Sequence, residues 1–165
     1  RATRDALLAD LDSPKALALA LRRPVAPDWP PLHWDAGPLR WLLDKLDVSA
    51  DAEPFWWAWY LTRADEGGVL CGTIGFKGPP DPEGFVEIGY SVVTSRWRRG
   101  LASEAVSGML RWAEATGRVR GFRAHTLAGD PASGGVLLKN GFRLITRLTD
   151  PDDGEVDRYE RPAKP

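Results

Sequence analysis

Cysteine is nearly absent. Cys71 is the single one in 165 residues, so an internal disulfide and a cysteine-built zinc site are both excluded. Histidine is scarce as well: His33 and His125 stand far apart with no helical ligand spacing, and no metal is expected. No apolar run approaches the ~20 residues of a membrane-spanning helix, so no membrane partner is expected. Charge of one sign is missing too. Lys and Arg total 22 against 23 Asp and Glu, a net −1, which is too balanced for a general nucleic-acid binder. No basic stretch with an apolar core stands at the start, and with the lone cysteine this fits a cytoplasmic location. The chain begins at Arg1 rather than Met, which leaves open whether residues precede it.

What is present is the balance of a soluble globular chain, 43% hydrophobic and 27% charged, and its length suits one domain over residues 1–165. The distribution says more than the totals. Six of eight tryptophans (Trp29, Trp34, Trp41, Trp56, Trp57, Trp59) fall within 31 residues. Residues 96–123 carry seven arginines against Glu104 and Glu114, a local +5. One basic segment in a neutral protein points to a defined anionic ligand, with a solvated helix face as the plainer reading.

Thr3 and Ser13 read as helix N-caps, with Pro14 at the first position of a short helix over 14–22. Five prolines make 24–38 an extended loop, and a helix follows over 39–46. Strands are expected at 55–63, 68–77 and 85–93, the first two joined by the Asp65–Gly68 turn. A helix over 101–116 presents Leu101, Ala105, Met109 and Trp112 or Ala113 on its apolar face and ends at Gly117. A strand over 119–127, a helix over 131–140 and strands at 142–148 and 155–159 complete the order. The pattern is a mixed α+β sheet with one central crossover.

The segment Glu87–Ala105 carries the chemistry. A strand ends at Val93, an arginine-rich turn follows, and Gly100, Leu101, Ala102 and Ser103 open a helix. Small residues let a ligand approach the backbone, and the first helical N–H groups lack internal partners at the positive end of the dipole. With Arg98 and Arg99 beside it, such a turn suits a phosphate or pyrophosphate. It has neither the Gly-Lys-Ser/Thr of a P-loop nor the Gly-x-Gly-x-x-Gly of dinucleotide folds, and an ordinary strand-to-helix turn is the competing reading.

These residues resemble motif A of the GNAT superfamily of N-acetyltransferases, Gln/Arg-x-x-Gly-x-Gly/Ala. Here the motif reads Trp97-Arg98-Arg99-Gly100-Leu101-Ala102. The aromatic start, followed by Ser103-Glu104-Ala105, is similar to the ribosomal-protein N-acetyltransferase-like (RimJ/RimL-type) branch. Val86–Tyr90, Asp130-Pro131-Ala132-Ser133 and Leu138–Phe142 match further pieces of that branch in order and spacing. The resemblance covers about Val69–Leu148 and implies the acyl-CoA N-acyltransferase fold, a mostly antiparallel central sheet flanked by helices.

The resemblance implies acetyl-CoA as cosubstrate, lying where two strands splay apart. Backbone groups of Ser91, Val92 and Val93 would bond the pantetheine arm, and Arg98, Arg99, Gly100, Leu101, Ala102 and Ser103 would cradle the pyrophosphate. The Val93 N–H, or a neighbour, would stabilise charge on the thioester oxygen. Asp130 stands where the branch has a cofactor-bonding Asn, and it equally suits a helix cap. Glu87 is the candidate base, its pKa raised by burial, with a cross-strand salt bridge as the alternative. The family's thiolate-protonating tyrosine position is Leu137 here, which leaves Ser133 as the candidate partner of the sulfur or, alternatively, a helix-terminal hydrogen-bonder. Tyr90 alternates away from Gly89 and Ser91, toward core packing.

The acceptor, a small-molecule or peptide amine, would meet residues 24–60 and the 78–84 loop. There tryptophans wall a pocket or simply fill the core, and Asp28 and Asp35 are candidate ammonium ligands. A non-catalytic acyl-CoA-binding module is the alternative function, on the strength of Leu137 and Asp130. A nucleotide-binding protein is the third reading. Either a monomer or a homodimer is compatible with the sequence.

Overall fold

The computed structural model describes residues 1–48, 54–151 and 153–164. Its elements are α1 (Arg4–Asp12), α2 (Pro14–Leu21), α3 (Ala36–Val48), β1 (Ala58–Arg63), β2 (Val69–Phe76), β3 (Phe85–Val92), α4 (Leu101–Ala115), β4 (Gly121–Leu127), α5 (Pro131–Lys139), β5 (Arg143–Asp150) and β6 (Gly154–Pro162). The six strands follow the order β1-β2-β3-β4-β6-β5. β3 and β4 run parallel, joined through α4, while β1/β2, β4/β6 and β5/β6 are antiparallel. The mostly antiparallel mixed sheet with one helical crossover is therefore the architecture the residue pattern leads one to expect.

The chain divides into two compact units, Arg1–Gly75 with Tyr90–Leu101 and Phe76–Gly89 with Ala102–Pro165. In the first, α1 and α2 meet at Ser13. This residue ends α1 and caps α2, its hydroxyl accepting from the Ala16 N–H at 3.1 Å, and Thr3 caps α1 in the same way. Leu7, Leu17, Leu39, Leu42, Trp57, Leu70 and Val93 fill the core of this unit. α3 begins at Ala36, ahead of the expected Leu39, because Pro38 falls in its first turn, where the missing N–H costs nothing. β1 begins at Ala58 rather than Phe55: pairing starts with Ala58 opposite Gly75, and residues 54–56 form a helical turn before it. Trp56 and Trp57 thus precede the strand and are both buried.

In the second unit, Phe76 stacks on Trp112 and Phe122, and Phe122 meets Phe142, each pair 6.3–6.4 Å apart. The buried stripe of α4 runs through Val106, Leu110 and Ala113, one position round from the expected Leu101-Ala105-Met109 line. That line is half-buried, because the apolar arc of the helix is wider than one row. Leu137 is fully buried, and Gly117, at φ +68°, closes α4 in the left-handed conformation a glycine adopts freely.

Candidate acetyl-transfer site

In the first unit the site is the turn from β3 toward α4. The Val93 N–H donates to the Cys71 carbonyl at 2.9 Å, so this amide is spent on β2 and does not face a thioester oxygen. Strand alternation turns the N–H groups of Tyr90 and Val92 to the other edge of β3, which makes Val92 the neighbour available for that role. The Val92 carbonyl is taken by the Trp97 indole N–H at 2.7 Å. The aromatic that departs from the family's Gln/Arg thus staples the turn onto its own strand. Ser91 donates its hydroxyl to the Leu32 carbonyl at 2.8 Å.

Residues 94–96 form one helical turn, and Asp28 holds it. The Asp28 carboxylate accepts from the Thr94 hydroxyl at 3.0 Å and from the Ser95 N–H and hydroxyl at 2.8 Å each. Burial alone would push the Asp28 carboxyl up, but these donors hold it below its ordinary value. Asp28 is therefore a buttress of the turn rather than an ammonium ligand. Beyond it Arg98 (φ +58°) and Gly100 (φ +79°) take left-handed backbone. A Cβ built on Gly100 meets nothing within 4 Å, so the turn stands open where a ligand would approach. Glu66 pairs with Arg96 at 2.6 Å and with Arg99 at 3.5 Å, an internal counter-ion for the arginine run.

The tryptophan-rich stretch of the same unit is mainly core. Trp29 and Trp34 each donate an indole N–H to Asp10 at 2.7 Å, one to each carboxylate oxygen, and the Tyr60 hydroxyl adds a third bond at 3.0 Å. Burial and the Asp10 carboxylate together push the Tyr60 hydroxyl pKa far upward. A cleft of about 160 Å³ remains beside them, lined by Asp10, Pro14, Trp29, Trp34, Asp35 and Leu39 among others. Asp35 accepts from the Gly37 N–H at 2.9 Å and so starts α3. Residues 49–53 of the expected acceptor segment lie outside the described residues.

In the second unit Glu87 stands on β3 opposite Arg123 of β4, and His125, two residues on, shares that face. Glu87 Oε1 lies 2.5 Å from Lys77 Nζ and 3.1 Å from His125 Nδ1. Burial pushes the Glu87 carboxyl up, but the lysine and the imidazole outweigh it and leave it below the ordinary range. The expected upward shift is thus reversed by two partners whose spacing along the chain gives no hint of them. The signal was in the parallel register: once Glu87 pairs with Arg123, His125 must follow on the same side.

Asp130 caps α5, its Oδ1 accepting from the Ala132 and Ser133 N–H groups at 2.9 and 3.2 Å. The cap alternative weighed for Asp130 is therefore realised, and Ser133 lies in the first turn of α5. Ser103 accepts from the Asn140 side-chain amide at 3.1 Å, which ties the end of α5 to the start of α4. Leu137 sits in the core, where it can offer no proton. Among the described residues no group of three or more His, Cys, Asp or Glu is placed to hold a metal ion. None of the described helices is long and apolar enough to cross a membrane.

A parallel strand pair carrying the crossover helix, with an open, glycine-bearing turn before that helix, is the frame of an acyl-transfer fold. The model of the acetyltransferase (GNAT) domain family matches residues 8–143, and the chain belongs to that family. Its sequence is 33% identical over 85 residues to the uncharacterized N-acetyltransferase YoaA of Bacillus subtilis, covering 52% of this chain and 48% of that protein. The chain spans about half the length of the curated relatives it matches. Solved structures share the fold. The spermidine N-acetyltransferase SpeG of Vibrio cholerae superposes with TM-score 0.62 at 12% identity, over 76% of this chain and 75% of its own. The ribosomal-protein alpha-N-acetyltransferase RimL, in complex with coenzyme A, gives 0.53 at 21% identity over 57% and 56%.

Proposed function

We propose that this protein is an acetyl-CoA-dependent N-acetyltransferase that moves the acetyl group to a primary amine by direct attack in a ternary complex. The observation that carries this reading is the turn before α4. It has open space at Gly100, left-handed backbone at Arg98 and Gly100, helical N–H groups without internal partners, and arginines alongside. These features fit the pyrophosphate of coenzyme A. Acetyl-CoA supplies an activated thioester. Arg98, Arg99 and the backbone of Gly100, Leu101, Ala102 and Ser103 hold its phosphates, and Ser91 and Val92 bond the pantetheine arm. The Val92 N–H faces the oxygen that gains charge, in place of the spent Val93 N–H. Acid–base chemistry is built around Glu87, with the Ser133 hydroxyl as hydrogen-bond partner of the departing sulfur.

RimL and SpeG, by their names, acetylate a ribosomal protein and spermidine, so both peptide and small-molecule amines are open as acceptors. A non-catalytic acyl-CoA-binding module is the second reading, favoured by the buried Leu137 at the tyrosine position. Isothermal titration with acetyl-CoA, coenzyme A and ATP tests the cradle. Acetyl-CoA and coenzyme A are expected to bind and ATP not to compete. Gly100→Asp puts bulk and negative charge at the open turn and is expected to weaken binding by at least about a hundredfold, close to 3 kcal/mol. Normal binding in that variant would sink the cradle. Thiol release on adding amines separates the enzyme from the binding module.

A further inference from the structure

Amine acetylation requires that an ammonium lose a proton before its lone pair can attack. Two groups in the second unit are candidates to receive it, and their contacts separate their roles. Glu87 is held by two donors: its Oε1 takes both the Lys77 ammonium and the His125 ring N–H, at 2.5 and 3.1 Å. A carboxylate held by two donors is stabilised in its charged form and is a weak proton acceptor, in line with its lowered pKa. His125 is bonded on one nitrogen only by these contacts. In the neutral ring, an Nδ1–H donated to Glu87 leaves the lone pair on Nε2. The imidazole keeps 28% of its side-chain surface exposed, so an acceptor can reach it.

We infer that His125 is the general base of the reaction, and that Glu87 is the positioning residue that fixes its ring. This rests on the acetyltransferase reading above. The charged groups around the imidazole leave the pair intact. Lys77 is drawn to Glu87, and Arg123, two residues back on β4, is bound by Asp81, Glu83 and Glu160. Arg158, directly across on β6, is bound by Glu160. Lys77 thus shares Glu87 with the imidazole, Arg123 and Arg158 share Glu160, and the ion pairs found for His125 among the described residues involve Glu87 alone.

The step balances as follows. The ammonium N–H bond breaks and its proton passes to Nε2. The freed lone pair forms the C–N bond to the thioester carbonyl carbon as the C–S bond breaks, and the sulfur leaves with that electron pair. The proton still to be lost by the nitrogen reaches the sulfur through solvent or the Ser133 hydroxyl, and His125 returns its own to water. One proton is released per acetyl group transferred.

The test measures thiol release with spermidine and with a serine-terminated peptide as acceptors, alongside acetyl-CoA affinity. His125→Ala is expected to lower kcat/KM about a hundredfold or more, while acetyl-CoA affinity stays within about twofold. Added imidazoles should restore turnover to His125→Ala, in proportion to their basicity, a response that a merely structural histidine would not give. Glu87→Gln should lower kcat about tenfold, and histidine nitrogen NMR should show the Nδ1–H tautomer weakened. His125→Gln with wild-type turnover would overturn the assignment, as would a folded His125→Ala that no imidazole rescues. Failure of the unsubstituted protein to release thiol with either amine would overturn the enzyme reading itself, and this inference with it.

Discussion

Asp28 lies 66 residues before Thr94, yet its carboxylate ties down the turn that the arginines and Gly100 continue. Three hydrogen bonds to one side chain fix the backbone just ahead of the amides proposed to hold phosphate, so removing them should loosen the proposed cradle without unfolding the protein. Asp28→Ala is expected to raise the coenzyme A dissociation constant about five- to tenfold, and Asp28→Asn by less, since its amide oxygen can still accept. Titration calorimetry checks this; equal affinity in all three proteins would remove Asp28 from the site. Long-range roles of this kind were illegible in the sequence. An aspartate among prolines reads as a surface or substrate-facing carboxylate, and nothing in its spacing names Ser95 as partner. Asp10, gathering two indoles and a phenol, escaped for the same reason. The arginine turn could be read because all its parts are consecutive.

At the scale of elements, α5 shows a sequence signal with a local cause. Asp130 and Pro131 mark its start through capping and a fixed backbone angle, and the observed cap uses the N–H groups of Ala132 and Ser133. Asp130→Ala is expected to destabilise the fold by about 1 kcal/mol, and Asp130→Asn or Asp130→Ser by a few tenths, read from urea unfolding midpoints. Helices were legible because caps and periodicity lie within a few residues of one another. The start of β1 was not, since aromatic content reports burial while pairing decides where a strand begins. There the backbone opposite is Gly75, whose missing Cβ would lie 2.4 Å from the Trp57 carbonyl oxygen. The β2–β3 approach is equally tight, with a Cβ on Gly72 falling 2.5 Å from the Ser91 carbonyl oxygen.

For the whole molecule, acid stability follows from the carboxylates. Asp28, Asp81, Glu87, Asp157 and Glu160 all sit below their ordinary values. In Asp28, Glu87 and Glu160 burial works upward and is outweighed by hydrogen bonds and ion pairs. In Asp81 the Phe85 N–H leads the downward pull, and in Asp157 it is Arg147. A group depressed in the folded state stabilises above its unfolded value, near 4, and that contribution is lost as pH falls through the folded value. Unfolding midpoints are therefore expected to change little on this account between pH 7 and 5 and to drop on going below about pH 4. A midpoint that rose on acidification would contradict the sign.

The chain passes between its two compact units three times, within β2, within β3 and at the start of α4. Neither unit is a continuous stretch of gene. No single crossover with a relative can give a chimera one whole unit from each parent. An exchange that keeps the first unit intact must carry residues 90–101 along with residues 1–75. A single crossover between residues 75 and 90 therefore parts the tryptophan-rich stretch from the arginine turn, whereas one placed after residue 101 passes both on together.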